Sequence, residues 1–393
     1  MAEQEILNLK SMVQGGRLFR SPSDANRVEA FLTPTGIENH AANMIELPNG
    51  DLLCAWFSGT QEGIPDVGIA LSRLPAGGAQ WAEPVWVAED PSRSEQNPVL
   101  FLTPEGKVWL LWTAQETRGC TKDEWKARVA AGEATGEYGM QWTSIVRRRV
   151  SDDYGRSWGP VELFLDKPSS FIRHPIVIMS NGEWLLPIYY SLESHLHADD
   201  YSVMLISSDQ GASWDEHVVP QSRGRVQASV LELEPGKLIA FFRSRAADWI
   251  YVSHSADYGR TWKPPEPTSL PNNNASTQNI KLASGHLAMV FNNYQVKDEP
   301  HEAVWPRRRY PVTIAISEDG GKSWPFMRDV DAGDAFWGDE NVHLNRRLGY
   351  PGLIQTRDGM IHVFYSYRGR QCIKHVRFGE EWVRGQLDYV VED

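Results

Sequence analysis

The sequence is poor in cysteine, in positive charge and in long apolar runs. Its three cysteines, Cys54, Cys120 and Cys372, leave one unpaired and lack metal-ligand spacing, so neither a disulfide framework nor a cysteine metal site is expected. With 39 basic against 51 acidic residues, neither nucleic acid nor an anionic membrane is an expected partner. No apolar run approaches the roughly 18 residues of a membrane helix, and acidic residues stand where a signal peptide has basic ones. We expect a soluble, leaderless, cytoplasmic protein with no metal or other cofactor.

Tryptophan and glycine are abundant instead, with 16 and 32 copies, and several belong to a repeated motif. The octamer SDDYGRSW at residues 151–158 has close copies at 207–214, 255–262 and 317–324. In each copy we expect the aspartate to accept hydrogen bonds from its own turn, the glycine to supply a positive φ, and the tryptophan to pack between strands. Because this turn recurs along the chain, we interpret it as a structural element of the fold, and catalysis is not expected there.

A second repeated feature is a turn glycine followed by an apolar run. It occurs at Gly50, Gly106, Gly182, Gly236, Gly285 and Gly359. Each glycine follows another short apolar run, a pattern typical of a β-hairpin. Hairpin, alternating strand, aspartate turn and final strand make a four-stranded antiparallel unit, with decayed turns at 72–81 and 374–382 in the first and last units. Six such units predict an all-β, six-bladed β-propeller.

The propeller is predicted to form a single domain over residues 37–393. Residues 1–36 are expected to be an N-terminal segment that contributes a closing strand, with GRLFRSP at 16–22 as its candidate, because a terminal blade is completed from both chain ends. An insertion at about residues 114–141 interrupts the second blade. Long loops often carry function, so the insertion is expected either to cover the site or to contact another subunit.

The octamers resemble the Asp-box, or BNR, repeats of the sialidase superfamily, and their succession covers residues 37–385. The segments NHAANMIELPNGDLLCAWFSGT (39–60) and LGYPGLIQTRDGMIHVFYSY (348–367) are similar to the sialidase-like family often labelled predicted neuraminidase. The resemblance implies an exo-type glycosidase that holds a substrate carboxylate with three arginines. It also implies a tyrosine nucleophile, a glutamate that activates it, and an aspartate as acid/base.

Three positions implied by the resemblance carry the expected residue types. Arg243 follows the apolar run of the fourth hairpin in LIAFFRSR. Arg309 precedes the strand that leads to the last complete octamer, with Arg307 and Arg308 as competitors. Tyr350 lies nine residues before the last hairpin glycine, which is the family's position for the nucleophile. The two arginines are expected to hold the carboxylate in bidentate fashion.

Two positions depart from the family pattern. His40 stands ten residues before Gly50, where the family has its first arginine, and Gln227 stands where it has the activating glutamate. An amide cannot take a proton from tyrosine, whereas His40 is a candidate general base or acid because its ordinary pKa lies near neutrality. The loop SGTQEGIPD offers Glu62 or Asp66 as the carboxylic partner.

Polar residues at the starts of the six inner strands point independently to a site. They converge at one mouth of the central channel because the first strand of every blade lines it. The set comprises Asn39, His40, Gln96, Asn97, Arg173, His174, Arg225, Gln227, Gln278, Asn279 and Tyr350. The residues predicted to bind substrate are Asn39, Asn97, Arg173, His174, Gln227, Arg243, Asn279 and Arg309. Those predicted to be catalytic are His40, Tyr350, Glu62 and Asp66.

The sequence thus predicts an exo-type glycoside hydrolase acting on an acidic oligosaccharide or glycoconjugate. One alternative is a uronate-directed enzyme, either a rhamnosidase-like hydrolase with a catalytic histidine or a polysaccharide lyase using His40 and Tyr350. Another is a glycan-binding propeller without catalysis, motivated by the missing arginine and glutamate. HLHADD at 195–200 has metal-ligand residue types, but its place in a loop after a strand favours a polar rim.

Overall fold

The computed structural model describes residues 15–22, 24–296, 302–333 and 347–385. These residues form six antiparallel sheets of four or five strands each, and the predicted six-bladed β-propeller is confirmed. Within these ranges, no helix is long and apolar enough to cross a membrane.

The strands are numbered along the chain, and most blades are built from consecutive strands. Two N-terminal strands come first: β1 (Phe19–Ser21) and β2 (Asp24–Phe31). Blade 1 contains β3 (Glu38–Glu46), β4 (Leu52–Gly59), β5 (Gly68–Leu74) and β6 (Val85–Ala88). Blade 2 contains β7 (Arg93–Leu102), β8 (Val108–Glu116), β9 (Ile145–Ser151) and β10 (Glu162–Leu165). Blade 3 contains β11 (Ser170–Ile172), β12 (Val177–Ile178), β13 (Trp184–Tyr190), β14 (Tyr201–Ser207) and β15 (Asp215–Val218).

The second half of the ring follows the same plan. Blade 4 contains β16 (Arg225–Glu234), β17 (Lys237–Ser244), β18 (Trp249–Ser255) and β19 (Glu266–Pro271). Blade 5 contains β20 (Gln278–Lys281), β21 (Leu287–Asn292), β22 (Val312–Ser317) and β23 (Phe326–Asp331). Blade 6 contains β24 (Gly349–Gln355), β25 (Ile361–Tyr367) and β26 (Cys372–Phe378). Among the described residues, the α-helices are α1 (Lys122–Ala130) in the blade 2 insertion and α2 (Glu380–Val383) after β26.

Blade 6 is completed by the N-terminal segment. Strand β2 pairs with β26, with Glu29 opposite Val376, and β1 pairs with the outer side of β2. GRLFRSP at 16–22, expected to be the closing strand, therefore supplies only the outermost strand, and the strand that joins β26 lies further along the chain. The buried ammonium group of Lys374 holds this join, with Nζ 3.1 Å from Glu29 and 2.9 Å from Asp331 of blade 5.

The hydrophobic core lies between neighbouring blades. Leu110 and Leu111 are adjacent on β8, yet Leu110 packs toward blade 1 and Leu111 toward blade 3. Phe242 and Phe241 on β17 divide in the same way between blades 3 and 5. Side chains on a strand alternate between its two faces, and both faces are covered here. This is why the run after each hairpin glycine is continuously apolar.

The octamer turns share one geometry. In blade 3, Asp209 accepts hydrogen bonds from the Ser213 amide at 2.8 Å, the Ser213 hydroxyl at 2.6 Å and the Ser207 hydroxyl at 2.7 Å. The corresponding amide bonds are accepted by Asp153, Asp257 and Asp319. Gly211 has a φ of 86°, and a Cβ there would lie 2.7 Å from Trp109 of blade 2. The glycine is therefore required by the backbone and by the approach of the preceding blade.

Candidate active site

Four of the inner strands carry the same irregularity near their first residue. On β3, β7, β16 and β24 the pairing register shifts at this point. The residues at the shift have a left-handed backbone: Ala41 (φ 55°), Asn97 (φ 47°), Gln227 (φ 53°) and Tyr350 (φ 53°). Each lies nine residues before the hairpin glycine of its blade. A bulge of this kind re-aims a side chain at a strand end, and the common offset is the sequence signal for it.

The equivalent residue of blade 3 is Arg173, again nine residues before its hairpin glycine. Its guanidinium crosses the central channel. Nε donates to Ser276 Oγ at 3.1 Å, Nη2 donates to the Tyr350 carbonyl at 3.3 Å, and Nη1 donates to the carbonyls of Ala41 and Ala42. Arg173 therefore ties blades 1, 3, 5 and 6 together beneath the tyrosine.

Arg243 and Tyr350 form the centre of the site. Arg243 Nη1 donates to the Tyr350 hydroxyl and, at 3.1 Å, to Gln227 Oε1, while Nε donates to Asn274 Oδ1 at 2.7 Å. The arginine is fully buried, and its Nη2 has no hydrogen-bond partner in the described part of the chain. A buried donor left without a partner costs about 1–3 kcal/mol. Nη2 is thus a buried donor that is left unpaired among the described residues.

Arg309 approaches the same tyrosine from the loop before β22. Its Cζ lies 5.4 Å from the centroid of the Tyr350 ring, and Arg243 Cζ lies 5.3 Å from it. Burial lowers the pKa of Arg309 to about 10, and the positive charges of Arg243 and Arg370 contribute. Three arginines thus lie close enough to act on one another's charge, an arrangement that favours an anion between them.

Two opposing effects set the acidity of Tyr350. Burial alone raises the pKa of a phenol, because the charged form is disfavoured away from water. The charges of Arg243 and Arg309 outweigh burial and lower the pKa of Tyr350 to about 8. Roughly one hydroxyl in ten is then ionised at pH 7. Tyr350 is therefore equipped to act as a nucleophile or base near neutral pH.

His40 lies behind the tyrosine ring. The ring centroids of His40 and Tyr350 are 4.3 Å apart, and His40 Nδ1 lies 2.6 Å from Ser366 Oγ. The histidine is only 1% exposed. Burial, with the charges of Arg370 and Arg309, holds the pKa of His40 well below its usual value, so the ring is neutral. This position favours a supporting role for His40 over the direct proton transfer predicted from the sequence.

Glu62 joins the site through an arginine that the sequence analysis missed. Arg370 Nη1 lies 2.8 Å from a carboxylate oxygen of Glu38 and 2.7 Å from one of Glu62. Burial would raise the pKa of Glu62, but Arg370 lowers it below its usual value, so the carboxylate is ionised. Asp66 is exposed and accepts hydrogen bonds from the Thr60 amide at 3.2 Å. Of the two predicted acidic residues, Glu62 forms an ion pair with Arg370, whereas Asp66 accepts hydrogen bonds within its own turn.

Four further residues predicted to bind substrate lie between blades. Asn39 Oδ1 accepts a hydrogen bond at 3.0 Å from a buried indole of blade 1, and Asn97 Nδ2 donates at 3.1 Å to a carbonyl of blade 3. His174 and Asn279 are 2% and 3% exposed. Burial, followed by the Arg173 charge, holds the pKa of His174 well below its usual value. The contacts of Asn39 and Asn97 favour structural roles for these two, whereas the buried side-chain polar atoms of His174 and Asn279 have no hydrogen-bond partner among the described residues.

A second arginine and a tryptophan, both missed in the sequence, form the rim of the site. Arg245 donates to the buried carboxylate of Asp200. The Trp305 ring centroid lies 5.0 Å from Arg243 Cζ and 4.9 Å from Arg245 Cζ. Arg245 could have been found from its arginine-x-arginine spacing with Arg243, because residues two apart on a strand point to the same side. The same spacing recurs as RGR at 368–370, in the turn after β25, where Arg370 lies.

The blade 2 insertion and the HLHADD segment extend this rim. Glu137 of the insertion accepts a hydrogen bond from the Leu196 amide at 2.6 Å, and the Leu196 carbonyl accepts one from the Trp305 indole at 3.3 Å. His197 Nε2 lies 3.8 Å from a Glu137 carboxylate oxygen. The described ranges hold no group of three or more residues placed to bind a metal ion. HLHADD is thus a rim segment, and the insertion reaches the site from the side.

Comparison with known proteins identifies the family of the chain. The family model described as the BNR repeat-like domain matches residues 50–363. A sialidase of Bacteroides fragilis (strain YCH46) is 24% identical over an alignment of 287 residues, and the match covers 66% of this chain and 48% of that protein. The chain thus spans about half the length of this curated relative.

Solved structures share the propeller fold at low sequence identity. The Hadza microbial sialidase Hz136 superposes with a TM-score of 0.66 at 18% identity, covering 88% of this chain and 66% of that one. The NanB sialidase of Streptococcus pneumoniae superposes with a TM-score of 0.65 at 13% identity, covering 92% and 70%. The resemblance to Asp-box propellers of the sialidase superfamily is confirmed.

Proposed function

We propose that this chain, which belongs to the BNR repeat-like domain family, is an exo-type glycoside hydrolase acting on a carboxylate-bearing glycan. The observation that carries the proposal is the convergence of Arg243 and Arg309 on the acidic hydroxyl of Tyr350. The likeness to proteins named sialidases supports the same class of reaction.

The two arginines would bind the substrate carboxylate. Arg243 Nη2 is without a partner among the described residues, and Arg309 Cζ lies 5.4 Å from the centroid of the Tyr350 ring. Planar guanidinium groups match the two oxygens of a carboxylate better than an ammonium group does. Burial strengthens this attraction, because the local dielectric is low. The carboxylate would hold the sugar with its anomeric carbon near the Tyr350 oxygen.

Tyr350 would then act as the nucleophile. Its oxygen forms a bond to the anomeric carbon as the glycosidic C–O bond breaks, the leaving oxygen keeps the bonding electrons, and it takes the phenol proton through water. In the second step a water oxygen bonds to the anomeric carbon and the tyrosine oxygen leaves. Glu62, ionised beside Arg370, is the group we assign to accept the water proton.

The two departures from the family pattern alter how the tyrosine is activated. Gln227 accepts a hydrogen bond from Arg243 at 3.1 Å and so orients the guanidinium, but its amide cannot accept the phenol proton. Activation would instead come from the charges of Arg243 and Arg309. His40 packs against the tyrosine ring where the family has an arginine. With two arginines in place of three, the proposed substrate is an acidic sugar that is not restricted to sialic acid.

Elimination from a uronate is the second candidate function. In that reaction Tyr350 removes the proton α to a carboxylate that the arginines neutralise, the C–H electrons form the double bond, and the leaving oxygen departs with the C–O electrons. The replacement of the family's glutamate by Gln227 favours it, because a tyrosine with a pKa of about 8 is itself a suitable base.

A glycan panel with product analysis by mass spectrometry tests the proposal. Sialylated, rhamnosyl-glucuronate and uronate oligosaccharides are incubated with the protein, with Tyr350→Phe and with the control Tyr251→Phe. Tyr251 is a half-buried tyrosine of blade 4 bonded to Asp248. Products that have gained water, formed by the wild type and the control but not by Tyr350→Phe, support hydrolysis. An unsaturated sugar supports elimination, and bound but intact glycan supports a binding protein.

A further inference from the structure

A second cavity lies on the rim between blades 4 and 5. Its volume is about 760 Å³, and it is lined by Trp249, Pro271, Asn293, Tyr294, Gln295, Val296 and Arg308. These residues come from strand ends and loops on the same end of the propeller as the tyrosine site. Ligand sites in proteins commonly occupy about 300–1,000 Å³, so the cavity has room for sugar residues.

Arg308 gives this cavity a fixed positive charge. Its guanidinium carbon lies 4.5 Å from the Tyr294 ring centroid and 4.4 Å from that of Tyr310, so two aromatic rings orient it. The side chain is exposed, and no carboxylate oxygen of the described residues lies within 4.0 Å of it. In a chain with a formal net charge of −12, an arginine that contacts two aromatic rings and has no acidic partner among the described residues is suited to an anionic ligand.

Trp249 and Asn293 supply the other features of a sugar site. The indole of Trp249 is 37% exposed, and its flat face suits the C–H face of a pyranose ring. Asn293 is exposed beside it and carries both a donor and an acceptor for sugar hydroxyls. Aromatic surfaces with a few polar groups are the usual lining of small-molecule sites.

The cavity is joined to the tyrosine site by the backbone. Arg308 directly precedes Arg309, and the two side chains turn opposite ways, Arg309 to Tyr350 and Arg308 to Tyr294. Asn273 Nδ2 donates to the Arg308 carbonyl at 2.9 Å, which fixes this segment. Because consecutive Cα atoms are about 3.8 Å apart, the two guanidinium groups are anchored at neighbouring backbone positions.

We propose that this cavity binds a second anionic sugar, adjacent to the one held by Arg243 and Arg309. The substrate is then an oligosaccharide with acidic groups on neighbouring residues, and Trp249 stacks on the sugar whose anion meets Arg308. The inference rests on the proposed function, because the second sugar is placed next to the one that Arg243 and Arg309 hold. It adds the length and the charge pattern of the substrate. The anion is a carboxylate or a sulfate ester, which share this chemistry.

Binding measured against oligosaccharide length tests the proposal. The probes are oligosialic acid, oligoglucuronic acid and a sulfated galactan, each with one, two and three residues. We expect the longer probes of a series to bind about tenfold or more tightly than the single residue, the gain expected of one charge-assisted hydrogen bond. Arg308→Gln should remove the gain, and Arg307→Gln should keep it, because Arg307 is exposed and does not line the cavity.

The outcomes separate this inference from the proposed function. A gain that survives Arg308→Gln, or no gain in any series, overturns the second site. A gain confined to the sulfated series supports the site with sulfate as the anion. Trp249→Ala should also remove the gain, and thermal unfolding checks that both variants fold. If Arg243→Lys leaves single-residue binding unchanged while Arg308→Gln removes the gain, the proposed function fails and the second site stands.

Discussion

The octamer turns at the outer end of blades 2 to 5 share both a backbone geometry and their residues. The bulges at the inner end, on the first strands of the blades, share a backbone geometry but not their residues. The outer octamers keep aspartate, glycine and tryptophan at fixed places, and their aspartates accept the same hydrogen bonds. The inner bulges share a left-handed residue nine positions before the hairpin glycine. That residue is alanine in blade 1, asparagine in blade 2, glutamine in blade 4 and tyrosine in blade 6.

The difference separates structural repetition from functional specialisation. In an octamer turn the aspartate carboxylate already accepts hydrogen bonds from the serine hydroxyls and amides of its own turn, so it is not available to a ligand. At the inner end, Arg243 Nη2 and His40 Nε2 have no partner among the described residues. Polar groups that are buried and left unpaired are unfavourable unless something else binds them. A substrate is therefore expected to bind at the inner end. Substitutions there should alter binding or turnover, whereas substitutions in the octamer turns should alter stability.

The largest expected effect is that of Tyr350→Phe on turnover. Removing the hydroxyl removes the proposed nucleophile, and we expect a loss of at least about 10³-fold in kcat. Packing against His40 is retained, so the melting temperature should change little. Steady-state rates and thermal unfolding measure the two effects, with Tyr251→Phe as control. Retained turnover in Tyr350→Phe would place the chemistry elsewhere.

Arg243→Lys should affect binding of carboxylated sugars next most strongly. Lysine keeps the charge but loses the planar pair of donors, and we expect affinity to fall about tenfold to a hundredfold. A neutral analogue in which the carboxylate is an amide should lose much less. Calorimetric titration of both ligands makes the comparison. Equal losses for the two would indicate that Arg243 mainly supports the fold through Gln227 and Asn274.

Gln227→Glu tests how the inner end activates its tyrosine. A carboxylate beside Arg243 offsets part of the positive charge that lowers the Tyr350 pKa, so that pKa should rise by about 1 unit or more. In return the new carboxylate can accept the phenol proton. We expect the pH dependence of kcat/KM to shift accordingly, and a rate profile measured from acid to alkaline pH checks it. An unchanged profile would mean that the amide position does not act on the tyrosine.

Asp209→Asn should have the smallest effect, and it should appear in stability alone. Hydrogen bonds from Ser213 and Ser207 lower the pKa of Asp209 to about 2. Because the folded-state pKa lies below the unfolded value, the contribution is present above pH ~4 and is lost as the pH falls toward ~2. We expect the melting temperature at neutral pH to drop by about 2–4 °C and turnover to stay unchanged. Asp123→Asn on the exposed face of α1 is the matched control.

The sequence predicted the architecture well because repetition is a local signal. The octamers and hairpin glycines can be counted along the chain, and Tyr350 and Arg243 follow from their offsets to those glycines. Trp305 could not be found in this way, since it enters the site from the long connection between β21 and β22, and Arg370 lies in the short turn between β25 and β26, outside those offsets. The choice between Glu62 and Asp66 likewise depends on which carboxylate meets an arginine in space.

The directions in which the polar side chains at the starts of the inner strands point could not be predicted from the sequence either. Asn39, Asn97 and Asn279 look in sequence like Gln227, as polar residues at strand starts. The bulge and the interblade packing decide which of them points to the mouth and which to a neighbouring blade. A left-handed residue such as Tyr350 is invisible to patterns of polarity, although the common offset of nine residues marks its place.

The central claim is that two arginines at the inner end make one tyrosine unusually acidic. Titration of the tyrosine ring carbons by nuclear magnetic resonance, with Tyr350→Phe used to assign the signal, measures this directly. We predict that Tyr350 ionises with a pKa of about 8 and that Arg243→Gln raises this value. A Tyr350 signal that titrates at or above the ordinary tyrosine pKa of about 10 in the wild type would contradict the account.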